Sequence, residues 1–382
     1  MIDVLVVGAG PAGSVAATLL ARTGARVRMV DRAMFPRDKL CGDTVNPGTI
    51  STLKRLGLAA ALESRGLPID GMRVSGGNGI VVEGRYPGGF SGRAILRRDF
   101  DWMLLQDAVN AGVQFEPGVA VRSAIVEGGC VAGVRVTVNG KDQGQGSELR
   151  AKITIAADGR RSTLAFGLGL ASHPIRPRRW ALGAYIDVAG DAAPARFGEM
   201  HVRGSHYIGV APVPGGLTNV CLVTPWHAGD SQLGDPRKAI ARALASDRLL
   251  RDRFAGALMA TAPVVLGPLA VDGRDQAIDG LVLAGDAAGF IDPMTGDGLR
   301  FAIGGAELAA AAARDALTDG WQGVHARLAQ ARRKAFARKW RFNRAVRSLA
   351  GSTSAVAMAA AGARLAPGVL RRAMIYAGDC EC

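Results

Sequence analysis

A glycine-rich turn between a strand and a helix is the feature that most constrains the fold of this chain. The apolar, β-branched residues 2–7 predict a buried strand, which ends at a turn over residues 8–13. The Ala- and Leu-rich segment 14–22 predicts a helix, and residues 26–30 predict a second strand that ends at Asp31. Strand, glycine turn, helix, strand and acid, in this order, predict one βαβ unit.

The three glycines of this turn have the spacing of a nucleotide-binding motif. Gly8 permits a tight turn, Gly10 lets the backbone approach a pyrophosphate, and Gly13 lets helix and strand pack closely. The phosphates would lie at the helix N-terminus, where free N–H groups favour anions. Asp31 follows Gly13 by 18 residues, and a carboxylate there accepts hydrogen bonds from a ribose diol but repels a 2′-phosphate. The turn therefore disfavours NADP, but it does not distinguish NAD from FAD.

Four further segments carry glycines and charged residues in fixed patterns. They are Lys39-x-Cys41-Gly42, Arg97-x-x-Phe100-Asp101, Ala156-Ala157-Asp158-Gly159-Arg160-Arg161-Ser162, and Gly285-Asp286-Ala287-Ala288-Gly289 continued by Pro293-Met294-Thr295-Gly296-Asp297-Gly298. Together they resemble the superfamily of p-hydroxybenzoate hydroxylase-like flavoprotein monooxygenases and geranylgeranyl reductases, and the first resembles the reductase branch. The resemblance implies FAD and an α/β fold: a Rossmann-like FAD-binding domain, an inserted β-sheet substrate domain and a C-terminal helical segment.

The resemblance also implies which residues contact the cofactor. Asp286 would accept hydrogen bonds from the ribityl chain, and Arg97 would contact the phosphates or the ribityl chain, unless it forms a surface salt bridge. Gly296 and Gly298 would leave space beside the isoalloxazine ring, where helix N–H groups stabilise negative charge. The full expected set is Gly8, Gly10, Ala12, Gly13, Asp31, Arg32, Cys41, Gly42, Arg97, Asp158, Gly159, Gly285, Asp286, Pro293, Gly296 and Gly298.

The same resemblance divides the chain into three parts. We expect a discontinuous FAD-binding domain over residues 1–75, 96–165 and 275–325. The β-rich substrate domain would comprise residues 76–95 and 166–274, and residues 326–382 would form a basic helical segment.

The expected substrate pocket departs from the patterns of both related branches. Flavin-dependent halogenases carry W-x-W-x-I-P, but no two tryptophans of this chain are two residues apart. Geranylgeranyl reductases carry Y-x-W-x-F-P, which here resembles the stretch from Tyr207 to Pro212 with Gly209 and Ala211 replacing the two large aromatic residues. We therefore expect Tyr207, Gly209, Ala211 and Pro212 to line a pocket wider than that of the isoprenoid reductases.

These features predict an FAD-dependent oxidoreductase that acts on a hydrophobic small molecule: a polyketide, an aromatic compound or a lipid. The first expectation is a monooxygenase that uses NAD(P)H as its reductant. We expect NAD(P)H to bind only transiently, because no second glycine motif for a pyridine nucleotide is present. The alternative is a geranylgeranyl reductase-like enzyme for carbon–carbon double bonds. A third is a non-catalytic prenyl- or lipid-binding protein with the architecture of the Rab GDP-dissociation inhibitors. No catalytic residue is identified, and His206 and Tyr207 are the candidates for proton transfer.

The net charge of +14 comes mostly from the end of the chain. Residues 321–382 contain 12 Lys or Arg and two acids, so the main body is nearly balanced and a nucleic-acid partner is not expected. Apolar residues recur there at helical spacing, at Val324, Leu328, Ala331, Ala335, Phe342, Val346 and Leu349. This helix would either lie on an anionic membrane or pack its apolar stripe on the FAD domain with its cations in water.

Cysteine and histidine usage bears on location and on metals. The five cysteines lack paired spacing, and the strand at residue 2 leaves no room for a signal peptide, so we expect a cytoplasmic protein with peripheral membrane contact as an option. The five histidines have no metal-ligand spacing, and no metal is expected.

Overall fold

The fold is taken from a computed structural model of the chain. It describes residues 2–76, 79–138, 147–175, 179–188, 196–225, 234–274, 276–291, 293–350, 358, 362 and 366–380. Among these residues the helices are α1 (Pro11–Ala21), α2 (Pro47–Arg55), α3 (Ala60–Arg65), α4 (Arg97–Asn110), α5 (Thr163–Gly167), α6 (Pro236–Ser246), α7 (Gly298–Asp319), α8 (Val324–Ala350) and α9 (Pro367–Ala377).

The described strands fall into four sheets. In chain order they are β1 (Ile2–Val7), β2 (Val27–Asp31), β3 (Thr44–Val45), β4 (Leu67–Ile69), β5 (Gly71–Ser75), β6 (Val81–Arg85), β7 (Gly92–Ala94), β8 (Gln114–Pro117), β9 (Val119–Glu127), β10 (Cys130–Val138), β11 (Ser147–Ala156), β12 (Ala171–Ser172), β13 (Arg179–Asp187), β14 (Phe197–Arg203), β15 (His206–Pro212), β16 (Leu217–Pro225), β17 (Leu258–Met259), β18 (Val264–Leu266), β19 (Asp272–Gly273) and β20 (Leu281–Leu283).

The first sheet is a Rossmann-like sheet, and it confirms the predicted fold class. Its order is β8-β2-β1-β11-β10-β9, and β20 also pairs with β11. The pairs β2–β8, β1–β2, β1–β11 and β11–β20 are parallel. Along β1, Val4 and Val6 belong to the core that includes residues of α1, α4 and α7, whereas Leu5 and Val7 belong to a separate core on the other face. This alternation follows from the two-residue period of a strand.

Helix α1 is the most deeply buried of the helices that pack on this sheet. Nine of its 11 residues are buried, and it packs against α4 and α7. Pro11 occupies its first turn, where the missing N–H of proline costs no helical hydrogen bond.

The second sheet has the order β17-β13-β16-β15-β14-β5-β6, with β18 on β13. Two expected domain boundaries differ from this topology. Gly71–Ser75, expected in the FAD-binding domain, pairs in parallel with β14 and so belongs to the second sheet. Gly92–Ala94, expected in the substrate domain, lies between β3 and β4 in a three-stranded sheet. Both strands find their partners far along the chain, which local patterns do not report.

The basic helix α8 packs on α7, and its inward face matches the predicted apolar stripe in part; the side chain of Leu349 lies outside the described residues. Val324, Leu328 and Phe336 are buried, whereas Ala335 is exposed. Lys339 is also buried, because its ammonium donates to the carbonyls of Tyr376 and Ala377 and lies 3.4 Å from the Asp297 carboxylate. The prediction that α8 packs one face on the protein is therefore right. The predictions that Ala335 lies on this face and that the cation Lys339 lies in water are wrong. None of the helices in the described ranges combines the length and hydrophobicity needed to cross a bilayer.

Candidate active site

One cavity is lined both by the glycine turn of the first sheet and by strands of the second sheet. Of the expected residues, it brings together Gly10, Ala12, Cys41, Gly42, Arg97, Gly159, Gly285, Asp286, Gly296, Gly298, Tyr207, Gly209 and Ala211. The cavity is not lined by Gly8, Gly13, Asp31, Arg32, Asp158, Pro212 or His206. His206 lies at the start of β15 with its ring beside Ser205, and burial lowers the pKa of its imidazole.

The three glycines of the turn have two different reasons for lacking a side chain. A Cβ on Gly13 would overlap the carbonyl oxygen of Gly8, and one on Gly8 would lie 2.5 Å from the carbonyl oxygen of Ala157. Gly8 also has a φ of +100°, which glycine adopts readily. By contrast, a Cβ on Gly10 would meet only the Arg37 guanidinium, at 3.5 Å. Gly8 and Gly13 are required by packing, and Gly10 faces open space at the start of α1.

Asp31 holds the glycine turn against the end of β2. Its Oδ2 accepts a hydrogen bond from the Ala9 N–H, and its Oδ1 accepts one from the Ala33 N–H, both at 2.8 Å. The carboxylate therefore orders the turn in addition to the predicted role as a ribose ligand.

We expect Asp31→Ala to weaken FAD binding by about 1.5–3 kcal/mol, because a charged acceptor that orders the turn is lost. Flavin fluorescence titration measures the affinity. Asp31→Asn, which keeps one acceptor oxygen, should lose less. Equal affinity in wild type and Asp31→Ala would contradict both roles.

Cations collect beside the N-terminus of α1. Arg97 is 5% exposed and donates twice to Asp101, at 2.7 and 2.9 Å, while Arg37 lies 3.1 Å from the same carboxylate. The surface salt bridge offered as the alternative role of Arg97 is therefore wrong, because the pair is buried. Burial, together with Arg97, lowers the pKa of Lys39. Two arginines that share one carboxylate, together with Lys39 on the cavity wall, suit a pyrophosphate at the helix N-terminus.

The second expected nucleotide segment presents polar atoms that lack protein partners. Oδ2 of Asp158 accepts from the Thr163 N–H at 2.8 Å, but its Oδ1 is buried with no hydrogen-bond partner among the described residues. The same holds for Nε of Arg160, which lines the cavity. A Cβ on Gly159 would meet nothing within 4 Å. These orphaned atoms and the open space fit a bound dinucleotide such as FAD, whose hydroxyl and phosphate groups supply partners.

The third expected segment closes the cavity near α7. Gly285 has a φ of +60°, and a Cβ there would lie 2.8 Å from that of Ala12, so Asp286 lies close to the start of α1. Pro293 begins the short turn Pro293–Thr295, after which α7 starts at Gly298. The N-terminus of α7 thus borders the cavity through Gly296 and Gly298.

Asp43 is a buried carboxyl group beside the cavity that the sequence did not indicate. Its Oδ1 accepts from the Arg97 N–H at 3.1 Å, and its Oδ2 accepts from the amide of Asn219. The same amide donates to the carbonyl of Cys41 at 2.8 Å. Burial raises the pKa of Asp43 to about 6. The contact with Asn219 spans 176 residues, so no local motif marks it.

A carboxyl pKa raised on folding makes stability fall as pH rises. Asp43 contributes most below its unfolded pKa of 3.8 and loses that contribution as pH rises through about 6. We expect the unfolding free energy of wild type, relative to Asp43→Asn, to fall by about 3 kcal/mol over this range. Asn tolerates the φ of +51° at this position. Urea unfolding at several pH values measures the difference, and parallel pH curves for the two proteins would contradict it.

The second sheet supplies a wall of small and apolar side chains. Tyr207, Gly209 and Ala211 alternate along β15 and line the cavity, and Gly209 is in register with Cys221 of β16. A Cβ on Gly209 would meet only the Cys221 carbonyl oxygen, at 3.8 Å. Further apolar residues of the lining include Met72, Ala181, Met200, Val223, Leu266, Leu269, Phe290 and Met294.

The chain resembles known flavoproteins over most of its length. The model of the FAD binding domain family matches residues 1–343. A menaquinone reductase of Mycolicibacterium smegmatis is 31% identical over 320 residues, which cover 81% of this chain and 75% of that protein. Digeranylgeranylglycerophospholipid reductase 2 of Methanopyrus kandleri is 31% identical over 324 residues, 83% of this chain and 78% of that protein.

Solved structures agree with the fold. A geranylgeranyl bacteriochlorophyll reductase-like protein from Thermoplasma acidophilum superimposes with a TM-score of 0.77 at 25% identity, covering 93% of this chain and 89% of that one. The myxobacterial chondrochloren halogenase superimposes with a TM-score of 0.80 over 97% of this chain and 90% of that one, but at 23% identity this likeness concerns the fold alone.

Proposed function

Because this chain belongs to the FAD binding domain family, we propose that it reduces a carbon–carbon double bond of an apolar, isoprenoid-like molecule. Both relatives described above are named as reductases, and the chain is an FAD-dependent oxidoreductase. The non-catalytic lipid binder considered above is therefore excluded. The substrate class and the reaction are the parts that we propose.

The apolar wall of the cavity carries the proposal for the substrate. Small residues such as Ala181, Gly209 and Ala211 leave space, and methionine, leucine and phenylalanine side chains surround it. A cavity lined in this way gains free energy by removing apolar surface from water. A hydrocarbon chain or a ring system fits this lining better than a sugar or a charged metabolite does.

The relatives favour reduction over oxygen insertion, although the sequence placed monooxygenation first. One is named for reducing menaquinone and the other for reducing a geranylgeranyl lipid. The two are equally similar to this chain, at 31% identity over 81% and 83% of its length. Monooxygenation remains the alternative reaction.

Reducing a double bond adds a hydride to one carbon and a proton to the other. The chemistry supplied by bound FAD is the hydride transfer. Arg37, Lys39 and Arg97 would hold its pyrophosphate, and the apolar wall would exclude water. Cys41 and Tyr207 are protic side chains on the cavity wall, and either can hold the proton. NAD(P)H would bind transiently and restore the two electrons.

The test is a single-turnover experiment on the FAD-reconstituted protein. Under anaerobic conditions, the protein is reduced with NADH, NADPH or, as a chemical control, dithionite. It is then mixed with a menaquinone or a geranylgeranyl lipid, and the products are identified by mass spectrometry. We expect a product whose isoprenoid chain carries two added hydrogen atoms. We also expect the flavin to be reoxidised without O₂.

Two results would overturn the proposal. A product that forms only after O₂ is admitted and carries one added oxygen atom would establish the monooxygenase instead. Failure of the dithionite-reduced protein to transfer electrons to any unsaturated isoprenoid would exclude this substrate class.

A further inference from the structure

The outward face of α8 is basic along its whole length. No Asp or Glu occurs from Val324 to Ala350. The exposed cations of this helix are Arg327, Arg333, Lys334, Arg338, Arg341 and Arg344, which we call the basic face of α8. They recur at helical spacing over 18 residues, or about 25 Å of helix.

Several exposed arginines elsewhere in the chain are neutralised by nearby carboxylates. Arg26 pairs with Asp3, Arg55 with Glu307, and Arg150 with Glu127 and Glu148. The basic face of α8, by contrast, has no ion pair with any residue in the part of the chain that the structure describes. Its charge is therefore uncompensated within the protein.

The inward cations of α8 have structural roles, which separates them from the basic face. Arg332 donates to the carbonyl of Leu283, and Lys339 lies 3.4 Å from Asp297. The apolar side chains Val324, Leu328 and Phe336 are already buried. Among the described side chains of α8, no large apolar residue is exposed, so a partner of this helix must bind the cations.

We propose that the basic face of α8 docks the protein on the surface of an anionic lipid bilayer. A straight row of cations is complementary to a layer of anionic headgroups, and near such a surface each cation raises affinity about fivefold. Nucleic acid is the less suitable partner, because bases stack on exposed aromatic rings. The aromatic residues of α8 are not exposed: Phe336 contacts Phe301, and Phe342 contacts Tyr376.

Vesicle cosedimentation tests the docking without requiring turnover, so it is independent of the proposed function. The full FAD-loaded chain is mixed with vesicles of phosphatidylcholine alone or of equal parts phosphatidylcholine and phosphatidylglycerol, at low and high salt. The test variant carries Arg333→Gln, Arg338→Gln, Arg341→Gln and Arg344→Gln. The matched control carries Arg65→Gln, Arg98→Gln, Arg242→Gln and Arg248→Gln, which removes the same charge from exposed positions elsewhere.

We expect wild type and the control to bind only the anionic vesicles, and high salt to release them. The test variant should bind about several hundredfold more weakly while keeping its flavin absorbance. An equal loss of vesicle binding in both variants would show that the effect depends on net charge alone, and it would overturn the proposal. Absence of vesicle binding at low salt would also overturn it. This holds whether or not the protein binds mixed-sequence DNA in a parallel measurement.

Discussion

Gly13→Ala is expected to prevent stable folding of the first sheet. The new methyl group would overlap the carbonyl oxygen of Gly8, and neither backbone can move without separating α1 from β1. Overpacking against side chains costs about 1–3 kcal/mol, and a clash with backbone should cost at least as much. Thermal unfolding of the FAD-free protein measures the loss, and FAD binding should be lost with it.

Gly10→Ala is the matched control for this effect, because it should remove FAD without unfolding the protein. The methyl group would meet only the Arg37 guanidinium at 3.5 Å, and alanine in place of glycine at a helix N-cap costs under about 1 kcal/mol. The same methyl group would, however, occupy the space that the pyrophosphate needs. We expect an FAD-free protein with a nearly unchanged unfolding midpoint. Full flavin occupancy in Gly10→Ala would show that the phosphates bind elsewhere.

Gly209→Phe should abolish turnover while leaving the flavin in place. An aromatic side chain at this position would project into the cavity, and Gly209 has no contact with the glycine turn. Displacing a substrate by even about 1 Å can cost a hundredfold in rate, and we expect at least that loss. Steady-state kinetics and the flavin absorbance spectrum measure the two effects separately.

Gly209→Ala is the graded control for the pocket. Its Cβ would make an ordinary contact of 3.8 Å with the Cys221 carbonyl oxygen, so activity should be largely retained. If Gly209→Phe turns over the substrate at the wild-type rate, β15 does not line the substrate site. If both variants lose FAD, the cavity wall and the cofactor site are coupled more closely than the contacts indicate.

The sequence predicted those parts of the fold whose physical cause is local. Gly13 packs against Gly8 within the same βαβ unit, and the predicted strand, helix and strand are present. Tyr207, Gly209 and Ala211 were found through the resemblance to the Y-x-W-x-F-P motif, whose alternate positions lie on one face of a strand.

The parts that were missed depend on contacts between distant segments. Asp43 meets Asn219 across 176 residues, and neither residue type is unusual in its own segment. Lys339 is buried because it pairs with Asp297 and two carbonyls. A periodicity count, by contrast, treats Lys339 as a solvated cation. Charge alone does not tell which face of a helix turns inward when the partners come from another part of the chain.

The position of α1 between α4 and α7 also sets an order for synthesis. The ribosome completes α1 at Ala21, but α7, which covers it, is complete only at Asp319. At about 5–20 residues per second, the apolar face of α1 waits on the order of 15–60 s for that cover. The cavity needs Gly298 as well, so FAD has no complete site on the nascent chain during this interval. Bound flavin can therefore stabilise the chain only after the start of α7 has been made.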